Sequence, residues 1–129
     1  MTRTNALRNI FKSRNLSISF VLACKGIAYL FLYHRNMRLI FLSGILAFLT
    51  GLFFKFNGIE LAILCVTIML VFMAEIFNTA IELLMDGITE EYRLKIKVIK
   101  DIAAGVVVLA CLNAIAVGCI LLSRKICLL

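Results

Sequence analysis

Three long apolar runs, about residues 39–56, 59–86 and 102–122, dominate this chain, and none of its 129 residues is proline. About 20 apolar residues in a helix cross the roughly 30 Å hydrocarbon core of a bilayer. With 64% of residues hydrophobic and 16% charged, the chain carries more apolar side chain than a soluble domain of this length buries. The length suits one unit. The predicted class is an all-α membrane protein, a single domain over residues 1–129.

The charge distribution predicts topology. The formal charge is +7, from 14 Lys and Arg against 7 Asp and Glu. Such a balance could suggest nucleic acid, but its placement follows the spans, so no nucleic-acid partner is expected. Arg3, Arg8, Lys12, Arg14, Lys25, Arg35 and Arg38 precede the first span. Arg93, Lys95, Lys97 and Lys100 lie between the second and third, and only Lys55 lies near the first turn. The positive-inside rule puts the N-terminus and the second loop in the cytoplasm. Arg124 and Lys125, after the last span, run mildly against it. Residues 1–14 are polar and basic, suited to an anionic leaflet, with no cleavable signal peptide expected. Leu16 to Leu32 is long enough to span, but Lys25 and Gly26 interrupt it. The reading is an amphipathic surface helix over about residues 5–34, with Lys25 reaching for headgroups.

His34 to Arg38 form a polar step before the first span. Gly44 and Gly51, seven apart, share a face where a neighbouring helix approaches closely. Asn57 and Gly58 are expected to make the outer turn. Gly87 to Lys100 reads mostly as a solvated loop, and Ala103, Ala104 and Gly105 as a slim packing face. Asn113 reads as interhelical glue. The five cysteines have no metal-ligand or C-x-x-C spacing and read as small hydrophobes.

The chemistry gathers at the end of the second span, in MAEIFNTAIELLMD from Met73 to Asp86. At about 100° per residue, Asn78, Glu82 and Asp86 lie roughly −60°, −20° and +20° from Glu75, on one stripe less than a quarter of the helix wide. Glu75 and Glu82 are separated by about 10 Å along the axis, a distance that a nucleotide polyphosphate with its cation and the attacking group would span. Ionised carboxylates on an apolar helix must face protein, water or a cation, and a functional site is the default. Interhelical hydrogen bonds holding an oligomer are the structural alternative. Three spans cannot shield the stripe from lipid, so a homo-oligomer with its site near a subunit boundary is expected.

Six of the seven acids fall between Glu75 and Asp101, beside Arg93 and Lys100. Acids to hold a hard cation, a free carboxylate as base and a cation facing phosphate are the parts of phosphoryl transfer. No G-x-x-x-x-G-K-[ST] motif is present, so this is not a P-loop enzyme. An ion-coupled transport subunit would use the same carboxylates.

Glu75-Ile-Phe-Asn78-Thr-Ala-Ile-Glu82-Leu-Leu-Met-Asp86 closely resembles the defining motif of the bacterial integral-membrane diacylglycerol kinase and undecaprenol kinase family. Lys100-Asp101-Ile-Ala-Ala-Gly105 looks like its second motif, and Lys25-Gly26 and Arg35-Asn36 like its N-terminal landmarks. The resemblance implies a homotrimer in the bacterial inner membrane, with shared sites open to the cytoplasm. It implies transfer of the ATP γ-phosphoryl group to a lipid hydroxyl, with Glu75 as general base and Glu82 holding Mg²⁺. Asn15, Asn78, Asp86, Glu91, Tyr92, Arg93, Lys100 and Asp101 fall where the family contacts or organises ATP.

The family usually has a glutamate metal ligand where this chain has His34. Imidazole is a poor match for Mg²⁺. The substitution leaves three readings: a metal site shifted toward Mn²⁺ or Zn²⁺, a weakened or non-catalytic lipid-binding relative, or an interfacial residue. Phe53-Phe54-Lys55, Arg35-Asn36 and Asp101-Ile-Ala-Ala-Gly105 look more like the undecaprenol branch, and Glu91-Tyr92 more like the diacylglycerol branch.

Overall fold

The computed structural model describes residues 15–88 and 93–128. Among these, the chain forms four helices and no strand: α1 Leu16–Tyr33, α2 Arg35–Phe53, α3 Gly58–Asp86 and α4 Arg93–Cys127. Each is long and apolar enough to cross a membrane. The chain divides into two compact units, one ending at His34 and the other beginning at Arg35.

In the N-terminal unit, the carbonyl of Asn15 accepts from the amides of Ile18 and Ser19 and starts α1. His34 ends the helix in an extended conformation, its N–H donating to the Leu30 carbonyl. The expected surface helix thus corresponds to Leu16–Tyr33 among the described residues, and its predicted positions 5–14 lie outside them. The predicted polar step over residues 34–38 shrinks to His34, because α2 already begins at Arg35. Arg35, Met37 and Arg38 are good helix formers and nothing in the segment breaks a helix.

The second unit is built on α3, which packs along both α2 and α4, while α2 and α4 scarcely meet. The first turn differs from expectation. Helix α2 stops at Phe53, three residues before the predicted end, because Lys55 takes a left-handed conformation with φ 52°. The Phe56 amide donates to the Gly51 carbonyl and the Lys55 amide to the Leu52 carbonyl, both at 3.0 Å. This is a Schellman closure with lysine where glycine is usual. Asn57 and Gly58 are therefore not the turn. Asn57 caps α3: its side chain accepts from the Glu60 amide and the Glu60 carboxylate accepts from the Asn57 amide, each at 2.9 Å.

The two helix glycines of α2 behave as predicted. A Cβ on Gly44 would stand 2.9 Å from Ile68 Cγ2, and one on Gly51 would stand 2.9 Å from Leu64 Cδ2. Both mark the seam where α2 closes on α3. The buried core lies at the same end, where Phe56, Leu64 and Leu121 pack together. Hydroxyls along these helices bond back to their own backbone, as Thr50 does to Leu46 and Thr67 to Ile63, both at 2.8 Å. That satisfies them without water.

Helix α4 is longer than its predicted span at both ends. Its first two turns take up residues 93–100, read from sequence as loop, and it continues to Cys127. Arg93 to Lys100 contain no glycine or proline, and Arg, Leu and Lys favour helix. Of the expected slim face, Ala103 and Gly105 are half-buried and Ala103 lines a cavity with Ala74 and Ile81 of α3, while a Cβ at Gly105 would meet nothing within 4 Å on the single chain. Asn113 is exposed on the single chain and glues no helix within it. Lys125, an apparent exception to the charge rule, pairs with the buried Glu60 at 2.9 Å.

Candidate active site

The polar stripe of α3 stands where the bundle opens. With α3 continuous over Gly58–Asp86, Glu75, Asn78 and Glu82 keep their common face. All three line one cavity of about 440 Å³, together with Asn36 from the start of α2 and Ala104 and Cys111 from α4. Asn36 was recognised in the sequence only as a landmark. Its place in the first turn of a span, opposite an acid-bearing helix end, was the available signal.

Within the cavity, burial grades along the stripe. Glu75 is 5% exposed and Asn78 9%, while Glu82 is exposed. Asn78 Nδ2 donates to Glu82 Oε1 at 3.5 Å, a long bond. Asn78 Oδ1 is buried with no hydrogen-bond partner. An orphaned buried carbonyl oxygen between two carboxylates is an acceptor set for a proton donor or a hard cation.

Asp86, the last residue of α3, pairs with Lys100 Nζ on α4. This contact draws the first turns of α4 against the end of the stripe. The hydrogen bond that Lys100 donates to the Asp86 carboxylate raises the Lys100 pKa above its usual value, and the charges of Asp86 and Glu82 add to it. Asp101 and Arg93 are exposed on the same helix. Asn15 and His34 lie in the N-terminal unit. His34 is half-buried there, its ring centroid 6.0 Å from that of Tyr29. Glu91 and Tyr92 lie outside the described residues.

Among the described residues, no three of His, Cys, Asp and Glu come together as a metal-binding group. The oxygens of Glu75, Asn78 and Glu82 nonetheless suit a hard divalent cation that keeps waters and takes further ligands from a bound polyphosphate. Beyond the stripe the cavity is apolar, with Val107, Leu112 and Ile115 among its walls. The arrangement sets a buried carboxylate and further oxygen atoms against apolar walls, with the Asp86–Lys100 pair at the end of the same helix.

The sequence profile of prokaryotic diacylglycerol kinase matches residues 21–122. A diacylglycerol kinase from Synechocystis sp. is 36% identical over 110 residues, which cover 84% of this chain. Those residues span 63% of the relative's length.

Proposed function

The chain belongs to the prokaryotic diacylglycerol kinase family, and on that premise we propose that it is an ATP-dependent lipid kinase acting on the hydroxyl of a membrane alcohol. The observation that carries the proposal is the buried Glu75 sharing one cavity with Asn78 and Glu82, against apolar walls and next to the Asp86–Lys100 pair.

In this reading the acceptor hydroxyl lies beside Glu75, which receives its proton as the oxygen attacks the γ-phosphorus of ATP. The new P–O bond forms as the bond to the β-phosphate oxygen breaks, and ADP leaves with that electron pair. Asn78 offers its free carbonyl oxygen to the reacting groups. Glu82 holds a divalent cation, which when bound offsets phosphate charge. Lys100, held by Asp86, faces the polyphosphate, and Asn15, Glu91, Tyr92, Arg93 and Asp101 complete the nucleotide contacts. A single membrane domain in the bacterial inner membrane, with α1 on the cytoplasmic surface and three such chains sharing sites, fits this chemistry. The stripe faces the cytoplasm, where ATP is found.

The transport alternative is disfavoured by the rest of the α3 face. Beyond Glu75 the same stripe continues through Val71, Ile68 and Leu64, an apolar stretch that separates it from Glu60 near the start of α3.

The test is phosphoryl transfer from γ-labelled ATP to undecaprenol and diacylglycerol in parallel, in mixed micelles with Mg²⁺, Mn²⁺ or Zn²⁺. Labelled lipid is expected, and the faster acceptor names the branch. Activity with Mn²⁺ or Zn²⁺ alone assigns His34 as a ligand. No product with any metal rejects catalysis by the native chain, and His34→Glu then separates a weakened kinase, which regains activity, from a lipid-binding relative.

A further inference from the structure

The acid cavity is rich in hydrogen-bond acceptors and poor in donors. Its polar lining is Asn36, Glu75, Asn78 and Glu82. Ionised carboxylates only accept, so Glu75 and Glu82 supply no donor. Asn78 spends its Nδ2 on Glu82. The Cys111 thiol is a weak donor, and the other walls are apolar. Lys100 is paired with Asp86 and does not line this cavity. Among the described residues, the uncommitted N–H group in the lining is therefore the side-chain amide of Asn36.

Local structure gives Asn36 no other role. It is the second residue of α2, inside the helix and not at its cap. Asn is favoured at an N-cap, where its oxygen accepts from the backbone, and is disfavoured within a helix. Among the described residues its side chain makes no hydrogen bond. It does not join α2 to α3 either. Asn78 Oδ1 belongs to the same cavity and is buried without a partner, so the two amides leave each other unsatisfied. The next residue, Met37, is 0% exposed and pins the turn that carries Asn36.

Resting on the lipid-kinase reading, we infer that Asn36 binds the acceptor hydroxyl: its Nδ2–H donates to the alcohol oxygen while that hydroxyl donates to Glu75. An alcohol oxygen has one proton and two lone pairs. Glu75 takes the proton, one lone pair attacks the γ-phosphorus, and the other accepts from Asn36. The oxygen keeps this bond as it becomes the bridging oxygen of the phosphate ester, so its orientation is held through the transfer. The competing role for the same amide is a contact with the γ-phosphoryl oxygens. The apolar walls favour the alcohol, because they suit the carbon that bears the hydroxyl, while the cation for the polyphosphate stands outside this cavity.

The experiment compares Asn36→Leu, Asn36→Asp and Asn36→Gln with the wild type, using the full chain in mixed micelles with γ-labelled ATP and the preferred lipid alcohol. Labelled lipid and labelled inorganic phosphate are counted in one reaction. Asn36 is exposed, so these changes disturb no packed neighbour. Asn36→Leu keeps the approximate volume and removes the donor. It is expected to lower kcat/KM for the lipid about tenfold, the worth of one hydrogen bond. The KM for ATP is expected to change less than about twofold, and the share of phosphate passed to water to rise. Asn36→Asp puts an acceptor where a donor is required and is expected to fall further. Asn36→Gln keeps the amide and is expected to lie between the wild type and Asn36→Leu. Equal loss of transfer to lipid and to water, or a weakened KM for ATP, assigns Asn36 to the phosphoryl group and overturns the inference. Wild-type kinetics in Asn36→Leu overturn it too, as does a loss of assembly or thermal stability that accounts for the fall. If the wild type phosphorylates no lipid at all, the kinase reading fails and this role of Asn36 with it.

Discussion

Lys125 Nζ lies 2.9 Å from Glu60 Oε2, joining the last turn of α4 to the first turn of α3. The same carboxylate closes the cap on Asn57, and the ammonium stands 6.0 Å from the centroid of the Phe56 ring. One acid thus starts a helix and ties down the end of another. Lys125→Met is expected to lower thermal stability in detergent, because it leaves Glu60 without its cation. Adding Glu60→Gln to that variant is expected to recover part of the loss. A double-mutant cycle followed by thermal unfolding checks this, and additive effects would show that the two groups act independently.

The Asp86–Lys100 pair sets a pH dependence. Its hydrogen bond raises the lysine pKa, so the pair's contribution is complete below the ordinary lysine range and is lost as pH rises through the elevated value. Asp86→Asn is expected to move the alkaline loss of lipid phosphorylation to lower pH. A pH–rate profile of both proteins decides it, and superimposed alkaline limbs would remove Lys100 from the site's electrostatics.

Lys55 adopts φ 52° at the position where a Schellman closure usually has glycine. A left-handed residue other than glycine costs about 1–2 kcal/mol. Lys55→Gly is therefore expected to stabilise the fold by up to about 1 kcal/mol, after the added freedom of the unfolded glycine is subtracted. Equilibrium unfolding in mixed micelles measures it.

The glycines predict a contrast. A Cβ on Gly51 would press on Leu64 Cδ2 at 2.9 Å and Phe56 Cδ2 at 3.1 Å, while one on Gly118 meets nothing within 4 Å. Gly51→Ala is expected to cost about 1–3 kcal/mol through overpacking. Gly118→Ala should cost no stability. The same unfolding assay separates them.

The sequence made the stripe legible because helical periodicity alone fixes which residues share a face, and Glu75, Asn78 and Glu82 do share one cavity. It also showed the α2 glycines, since a seven-residue spacing on an apolar helix has few other uses. Helix ends were harder to read. Asn57-Gly58 carries a turn signature, yet the reciprocal bonds with Glu60 make it a helix start, and the turn falls on Lys55 in a conformation its residue type disfavours. The segment from Arg93 to Lys100 reads as loop by charge, but its composition also favours helix, and contact with Asp86 lies on the far side of a fourteen-residue separation. Pairing of Lys125 with Glu60 spans still more of the chain, beyond the reach of any local pattern.

Phosphoryl transfer by Glu75→Gln tests the central claim most directly. The substitution keeps size and hydrogen-bonding capacity but cannot accept the hydroxyl proton. With γ-labelled ATP and the preferred lipid, kcat is expected to fall by about 10²–10⁴-fold, the usual worth of a general base, with thermal stability and assembly unchanged. Lipid phosphorylation by Glu75→Gln at the wild-type rate would contradict the assignment of the buried stripe as the catalytic centre.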